Sequence, residues 1–334
     1  MSEPSAALEV SPAEVGIRLD VFLAERLSLS RGRARRLLAS GAVRIGMRTL
    51  GEGDKGLALR AGERVELVAD ARADAERVPR ESDLPLDVLV QGPGWLVADK
   101  PAGMAVHPLA AGERGTLLGA VAARHPEIQD VGEGGLRSGV VHRLDVDTSG
   151  ALLVATSETQ WQRLRAAFRE HRVEKRYRAI AIGSVAADGE IELALAIARH
   201  RPAFVRAASP DELAGARRTV TSWRVIERLR DATLLEVRTV TGFLHQVRAT
   251  LAHLGHPLAG DRSYASFAQR GEAERRPSAS FAQRAEGERR PSGVAGDTTG
   301  AARHMLHAAA LRFEEISAAS PDPTDFAELL AALR

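Results

Sequence analysis

The densest concentration of groups able to do chemistry is Val141-His142-Arg143-Leu144-Asp145-Val146-Asp147-Thr148-Ser149-Gly150. An aspartate, an arginine and a histidine stand together there, between two apolar stretches, and the run ends in a Thr-Ser-Gly turn. A carboxylate so placed can act as nucleophile or general base if it stays ionised. It can equally cap backbone N–H groups of its own loop, as polar loop aspartates usually do. The motif alone leaves those readings even. A second cluster, Thr241-Gly242-Phe243-Leu244-His245-Gln246-Val247-Arg248, falls at an expected strand-to-helix junction. His245 and Arg248, three residues apart, would share a helix face near its start. An arginine there is placed to reach Asp145, and a guanidinium beside a carboxylate favours the charged form.

The elements that must position these residues are readable in outline. Leu19, Phe22, Leu23 and Leu27 recur on one helical face. Ser30 can cap a second helix over 31–38, ended before Gly41, and residues 42–45 and 64–68 alternate as strands do. Residues 16–69 therefore read as a small α/β unit after a loose tail, 1–15. Residues 70–83, polar and charged with Pro79, read as a linker. From residue 84 a larger domain is expected. It carries strands at 95–98, 151–155, 220–226 and 234–240, another with Tyr177 and Ala179 on one face, and a helix capped by Ser157 with Gln160. Leu244, Val247, Leu251 and Leu254 form an expected helical stripe stopped by Gly255 and Pro257. Strands and helices mix without a βαβ rhythm, which favours α+β. Residues 265–278 repeat almost verbatim as 279–292; a polar, arginine-rich copy of this kind cannot bury enough surface to fold alone. We read 265–302 as an insertion.

Taken in order, several blocks resemble one family. His142-Arg143-Leu144-Asp145, two variable residues and Thr148-Ser149-Gly150 are similar to the central motif of the RluA/RluD-type pseudouridine synthases. Asp99-Lys100-Pro101-Ala102-Gly103 with Val106-His107-Pro108 resembles the family's early segment, and Lys175-Arg176-Tyr177-Arg178-Ala179 its Lys-x-Tyr-x-Ala strand. Thr241 to Arg248, followed by Leu254-Gly255-His256-Pro257 and Gly260-Asp261-Arg262-Ser263-Tyr264, is similar to its next blocks, and Arg303-His304-Met305-Leu306-His307-Ala308 to its last. Arg18-Leu19-Asp20, Leu29-Ser30-Arg31-x-Arg33-Ala34 and Gly41-Ala42-Val43 resemble the RNA-binding domain named after ribosomal small-subunit protein S-four.

The resemblance implies an α+β pseudouridine synthase fold, with a mixed, largely antiparallel central sheet and a catalytic cleft over 84–334. It implies an isomerase acting on uridines of structured RNA, by preference large-subunit ribosomal RNA, with transfer RNA or a catalytically retired RNA-binding protein as alternatives. Asp145 would work at the ribose, Arg143 would take the place of the displaced base, Tyr177 would lie against the extruded uracil, and Arg248 would pair with Asp145. No metal, nucleotide or redox cofactor is implied, because the glycosidic bond is broken and remade at one oxidation level. The sequence departs from the family where Phe243 and Leu244 stand in place of an arginine and a small polar residue.

Composition narrows the field further. Without cysteine there is no disulfide, thiolate metal site or cysteine nucleophile. No run of eighteen apolar residues and no signal pattern occurs, so a cytoplasmic protein, by default a monomer, is expected. Formal charge is only +2, yet eight arginines crowd between Arg18 and Arg48 against Asp20 and Glu25. Such local concentration is the footprint of a phosphate-binding module, and Arg18, Arg31, Arg33, Arg35, Arg36 and Arg44 are its candidate RNA contacts. An aspartic protease is excluded: Asp147-Thr148-Ser149-Gly150 carries an extra residue, and no second such carboxylate motif exists. The pairs His253/His256 and His304/His307 lack the company of a metal hydrolase motif and read as core or surface residues at a helix end.

Overall fold

The computed structural model describes residues 4–27, 29, 31–68, 77–200, 202–208, 215–265, 297 and 299–334. Most of the duplicated segment and the Ser30 cap lie outside the described residues.

In the N-terminal unit, helices α1 (Leu19–Arg26) and α2 (Arg31–Ala39) accompany a four-stranded antiparallel sheet in the order β1-β4-β2-β3, formed by Pro4–Glu9, Arg64–Val68, Val43–Ile45 and Arg48–Leu50. Leu19, Phe22, Leu23, Ala34 and Leu38 are fully buried together. The expected loose tail is corrected here. Pro4–Glu9 is an edge strand paired with β4, and Ser11 with Glu14 caps the turn that follows. Its sequence, without alternation, gives no local strand signal; backbone pairing with β4 supplies the order.

The crowded arginines are organised by one acid. Asp20 has no exposed side-chain surface and receives Arg18 at 3.1 Å, Arg31 at 3.3 Å and Arg35 at 2.9 Å. Burial alone would raise its carboxyl, but hydrogen bonds from Arg18, Arg35 and Arg31 outweigh that and hold it down to about 2. A depressed folded value stabilises above the unfolded value, near 3.9, and the benefit is lost as pH falls toward 2. Asp20→Asn is therefore expected to cost about 2 kcal/mol at pH 7. Thermal unfolding of both proteins from pH 7 to pH 3 should show the gap closing only below about pH 4.

Two further arginines, both half-buried, lean on the larger domain. Arg33 Nη1 donates to Asp130 O at 3.0 Å, and Arg36 lies among Glu133, Asp130 and Arg137 with Nη2 buried and, among the described residues, without a hydrogen-bond partner. A Cβ on Gly134 would come within 2.8 Å of Arg36 Nη2, so the two units are in close contact here. The expectation that both arginines point toward RNA meets a competing use here, since each is half-buried and engages the larger domain. Charge reversal at Arg36 would set an acid beside Glu133 and perturb domain docking. Arg44 pairs with Glu66 at 2.8 Å, across the β2–β4 pair.

The expected linker is shorter than 70–83. Val78 is 2% exposed and exchanges backbone hydrogen bonds with the Gln129 amide, while the Glu81 carboxylate receives Gly115 N–H ahead of α3 (Leu117–Arg124). An apolar residue and an orphan-satisfying acid tie 77–83 to the larger domain.

That domain is built on a ten-stranded mixed sheet. Its order is β10-β9-β11-β12-β8-β13-β7-β6-β5, with β14 beside β13. In chain order β5 is Asp87–Gly92, β6 Trp95–Lys100, β7 Ser149–Ala155, β8 Glu174–Ile182, β9 Gly189–His200, β10 Ala203–Ala207, β11 Arg217–Leu229, β12 Ala232–Thr239, β13 Leu306–Phe313 and β14 Ile316–Ala319. Every pairing is antiparallel except β13 with β7. That parallel pairing explains Gly150: at φ 110° a Cβ would meet Ala308 O at 2.3 Å. Helix α4 (Glu158–Arg169) is capped as expected by Ser157, whose hydroxyl accepts from Gln160 N, and it buries Trp161 and Leu164. The stripe near 244–254 is narrower than expected, because α5 spans only Gln246–His253 and leaves Leu244 in the preceding loop.

Candidate functional site

The Asp145 loop is pinned on every side, although it has no regular structure. Val141 and Leu144 are buried, whereas Arg143, Val146 and Asp147 face outward. His142 Nε2 accepts from Leu153 N at 2.9 Å and its ring stacks on Phe168, fastening the loop to β7 and α4. From α4, Trp161 Nε1 donates to Val140 O and Arg165 to Val141 O. Lys100, with no exposed surface, donates to Pro101 O, Met104 O and Val146 O at 2.7–2.8 Å. Burial pushes its amine down to about 7, with Asp147 and Asp145 acting against that. All three ammonium N–H groups find carbonyls, joining the Lys-Pro-Ala-Gly turn to the aspartate loop. Arg303 adds a bond to Asp147 O at 2.9 Å, and Thr148 Oγ1 meets His304 Nε2 at 2.8 Å.

Against this loop stands the N-terminal end of α5. Arg248 Nη1 donates to Asp145 Oδ2 at 3.0 Å, and the same guanidinium grips Asp261 through Nε at 2.7 Å and Nη2 at 3.0 Å. Asp261 is 1% and Arg248 9% exposed in their side chains, while Asp145 retains 21%. One cation thus joins a buried carboxylate to a reachable one. Burial opposes the guanidinium charge, but Asp261 and Asp145 more than offset this and raise its proton affinity. Bidentate grip fixes the plane of the fork, and the third donor is thereby aimed. Gln246 holds the turn before α5: its amide oxygen accepts from Thr241 Oγ1 and Phe243 N, and its nitrogen donates to Val220 O.

Of the other expected site residues, Tyr177 lies half-buried on β8 between two core clusters, close enough to Asp145 to feel its charge. Burial pushes its phenol up to about 12, so it is neutral at physiological pH. Arg143 is exposed, and its charge reaches His107 and His245. Phe243 and Leu244, the departures from the family pattern, pack with Phe204, Leu195, Val205 and Tyr264 against the β9–β10 hairpin. The hydroxyl of Tyr264 takes Val205 N–H at 3.0 Å and meets His245 Nδ1 at 3.1 Å.

Four contributors were not singled out by sequence reasoning: Asp261, Tyr264, His304 and Lys100. Asp261 and Tyr264 stand in a recognised block, but an aspartate after glycine reads locally as a turn residue. His304 was assigned to a helix end. It instead precedes β13, 4% exposed, with burial pushing its imidazole down to about 3 and Arg248 adding to that. Two surface hollows, one by Glu174, Arg176 and Leu311 and the other by Trp223, Glu236 and Arg238, do not include Asp145. Among the described residues no group of three or more His, Asp or Glu side chains is arranged to hold a metal.

A buried Asp–Arg pair presenting a second, accessible aspartate is arranged for acid-base or nucleophilic work on a substrate that comes to it. The profile of the family described as RNA pseudouridylate synthase matches residues 94–253, which include this loop, the Tyr177 strand and α5. A protein of Synechocystis named an uncharacterized RNA pseudouridine synthase is 35% identical over 261 residues, covering 77% of each chain. The chain belongs to the RNA pseudouridylate synthase family. It is accordingly an RNA pseudouridine synthase, an isomerase. Proteins named ribosomal large subunit pseudouridine synthase D, from Xanthomonas campestris and Vibrio parahaemolyticus, are 33% and 32% identical. Each alignment covers 97% of this chain, and 91% and 93% of the respective relative. The solved structure of human RNA pseudouridylate synthase domain containing 1 superposes with a TM-score of 0.53 at 23% identity, over 72% of this chain and 84% of that one. That likeness is one of fold, and the large mixed sheet agrees with the α+β expectation. Among the described residues no helix is long and apolar enough to cross a membrane.

Proposed function

We propose that this synthase isomerises uridines of large-subunit ribosomal RNA in the cytoplasm, with Asp145 as the catalytic carboxylate. One observation carries the assignment: Arg248, clamped by buried Asp261, holds Asp145 at 3.0 Å while leaving it partly exposed. Uracil cannot present carbon five to its own sugar while stacked in a helix, so it must be extruded. Asp145 then works at the ribose, by attack or by deprotonation, as the N1–C1′ bond breaks. The base turns, C5 bonds to C1′, the C5 hydrogen leaves to solvent and N1 gains a proton. Arg143, exposed beside the loop, fills the vacated place in the stack. Tyr177 lies against the extruded base, where such stacking is worth ~1–3 kcal/mol.

The ribosomal target rests on the relatives that align over 97% of the chain and are named for it. Mapping pseudouridine in RNA from cells with and without the gene tests this. Loss of sites confined to transfer RNA would overturn the ribosomal assignment.

For the N-terminal unit, Arg18 and Arg31 keep 49% and 55% of their side chains exposed while holding Asp20, so their outer faces suit phosphate. Arg31→Gln should reduce the slope of log affinity against log salt by about 1, the loss of roughly one phosphate contact. Filter binding to ribosomal RNA fragments across a salt series checks this. An unchanged slope would remove Arg31 from the interface.

A further inference from the structure

The two oxygens of Asp145 are not equivalent. Oδ2 accepts from Arg248 Nη1 at 3.0 Å and faces His245 Nε2 at 3.9 Å, whereas among the described residues no side chain bonds Oδ1. His245 occupies the position before α5 with φ 52° and ψ 23°. Left-handed backbone at a residue other than glycine is strained, and it persists where the surroundings enforce it. Here the ring is gripped by a hydrogen-bonded chain. Val205 N–H, on β10, donates to the hydroxyl of Tyr264, which is 1% exposed. A buried hydroxyl that already accepts needs an outlet for its own proton, and His245 Nδ1 at 3.1 Å is that outlet. Nδ1 is then an acceptor, so the proton of a neutral ring resides on Nε2 and points toward Asp145. Burial keeps the imidazole neutral, Asp145 acting against it; Arg248, Asp261, Arg143 and His304 are the other charged or titratable groups facing the ring.

Resting on the assignment of Asp145 as the catalytic carboxylate, we propose that His245 is a positioning residue. With Arg248 it claims Oδ2 and leaves Oδ1 to meet the ribose, while the Tyr264–Val205 chain sets the tautomer this needs. At 3.9 Å the His245 contact exceeds hydrogen-bond length; contacts of this kind tighten when substrate enters.

Two side chains separate this from a merely structural role. Glutamine can carry an N–H to where Nε2 lies, whereas asparagine falls short of it but suits left-handed backbone better. His245→Gln should therefore keep kcat for tritium release within about 10-fold of the unaltered enzyme, and His245→Asn should lose about 100-fold, the scale of a misplaced catalytic group. The Asn variant should nonetheless melt at least as high. Imidazole nitrogen NMR of the full chain, with His245 assigned by its absence in the Gln variant, should show protonation at Nε2, and Tyr264→Phe should mix the tautomers. Asn matching or exceeding Gln in kcat, or a ring protonated at Nδ1, would overturn the proposal. Tritium release surviving in Asp145→Asn, run alongside, would instead remove the underlying assignment and the proposal with it. With Asp145 essential and Asn equal to Gln, only the role of His245 falls.

Discussion

Asp145→Asn should release no measurable tritium from RNA labelled at uridine carbon five, a loss of at least about 10⁴-fold, as for other enzymes stripped of their nucleophile or base. The amide is close in shape to the carboxylate and can still accept from Arg248, so the loop should keep its place. His142, Lys100, Thr148 and Arg303 anchor that loop independently of the side chain at 145. Arg248 would still be neutralised by Asp261. Thermal unfolding within a few degrees of the unaltered enzyme is thus expected together with complete loss of turnover. Unfolding and activity lost together would mean that Asp145 is a structural cap, the bland reading that its loop position also permits.

Arg248→Met should lose both stability and turnover. It leaves Asp261, 1% exposed, facing Asp145 with no cation between them. Removing one partner of a buried pair typically costs 3–5 kcal/mol, because the other charge stays behind, and urea unfolding reads that directly. Turnover should fall by about 10³-fold or more, since the aspartate also loses the group that aims it. The double variant Arg248→Met with Asp261→Leu separates the two losses. Replacing a buried ion pair with apolar groups is often neutral, so stability should return to within about 1–2 kcal/mol while turnover does not. Stability of the single variant equal to that of the unaltered enzyme would show that the ion triad is not what holds α5 against the aspartate loop.

Phe243 and Leu244 take on a definite meaning in this setting. Where the family has a polar pair, this chain has two side chains seated with Phe204, Val205 and Tyr264. They fasten the β9–β10 hairpin to the turn before α5, the turn that also carries His245. The two apolar residues therefore supply a packing contact beside the site, while Gln246 and Arg248 hold the bonds described above.

Much was determined by the sequence alone, and the reason is the range over which its signals act. A cap such as Ser157, the alternation around Tyr177 and the apolar strand at Ala151–Ala155 are decided within a few residues, and those elements appear where they were expected. The ordered motif blocks did the same for the family, and they marked out Asp145 and Arg248, which the folded chain pairs at 3.0 Å. Tertiary structure decided what depends on partners far apart in the chain. Arg248 and Asp145 are 103 residues apart, and Thr148 and His304 are 156 apart. No local pattern states that Arg18, Arg31 and Arg35 share one buried acid, that Arg33 and Arg36 turn toward the other domain, or that 4–9 completes a sheet. Composition counts charges, whereas only the folded chain fixes the direction in which each guanidinium points, because that direction follows from where the nearest buried acceptor lies.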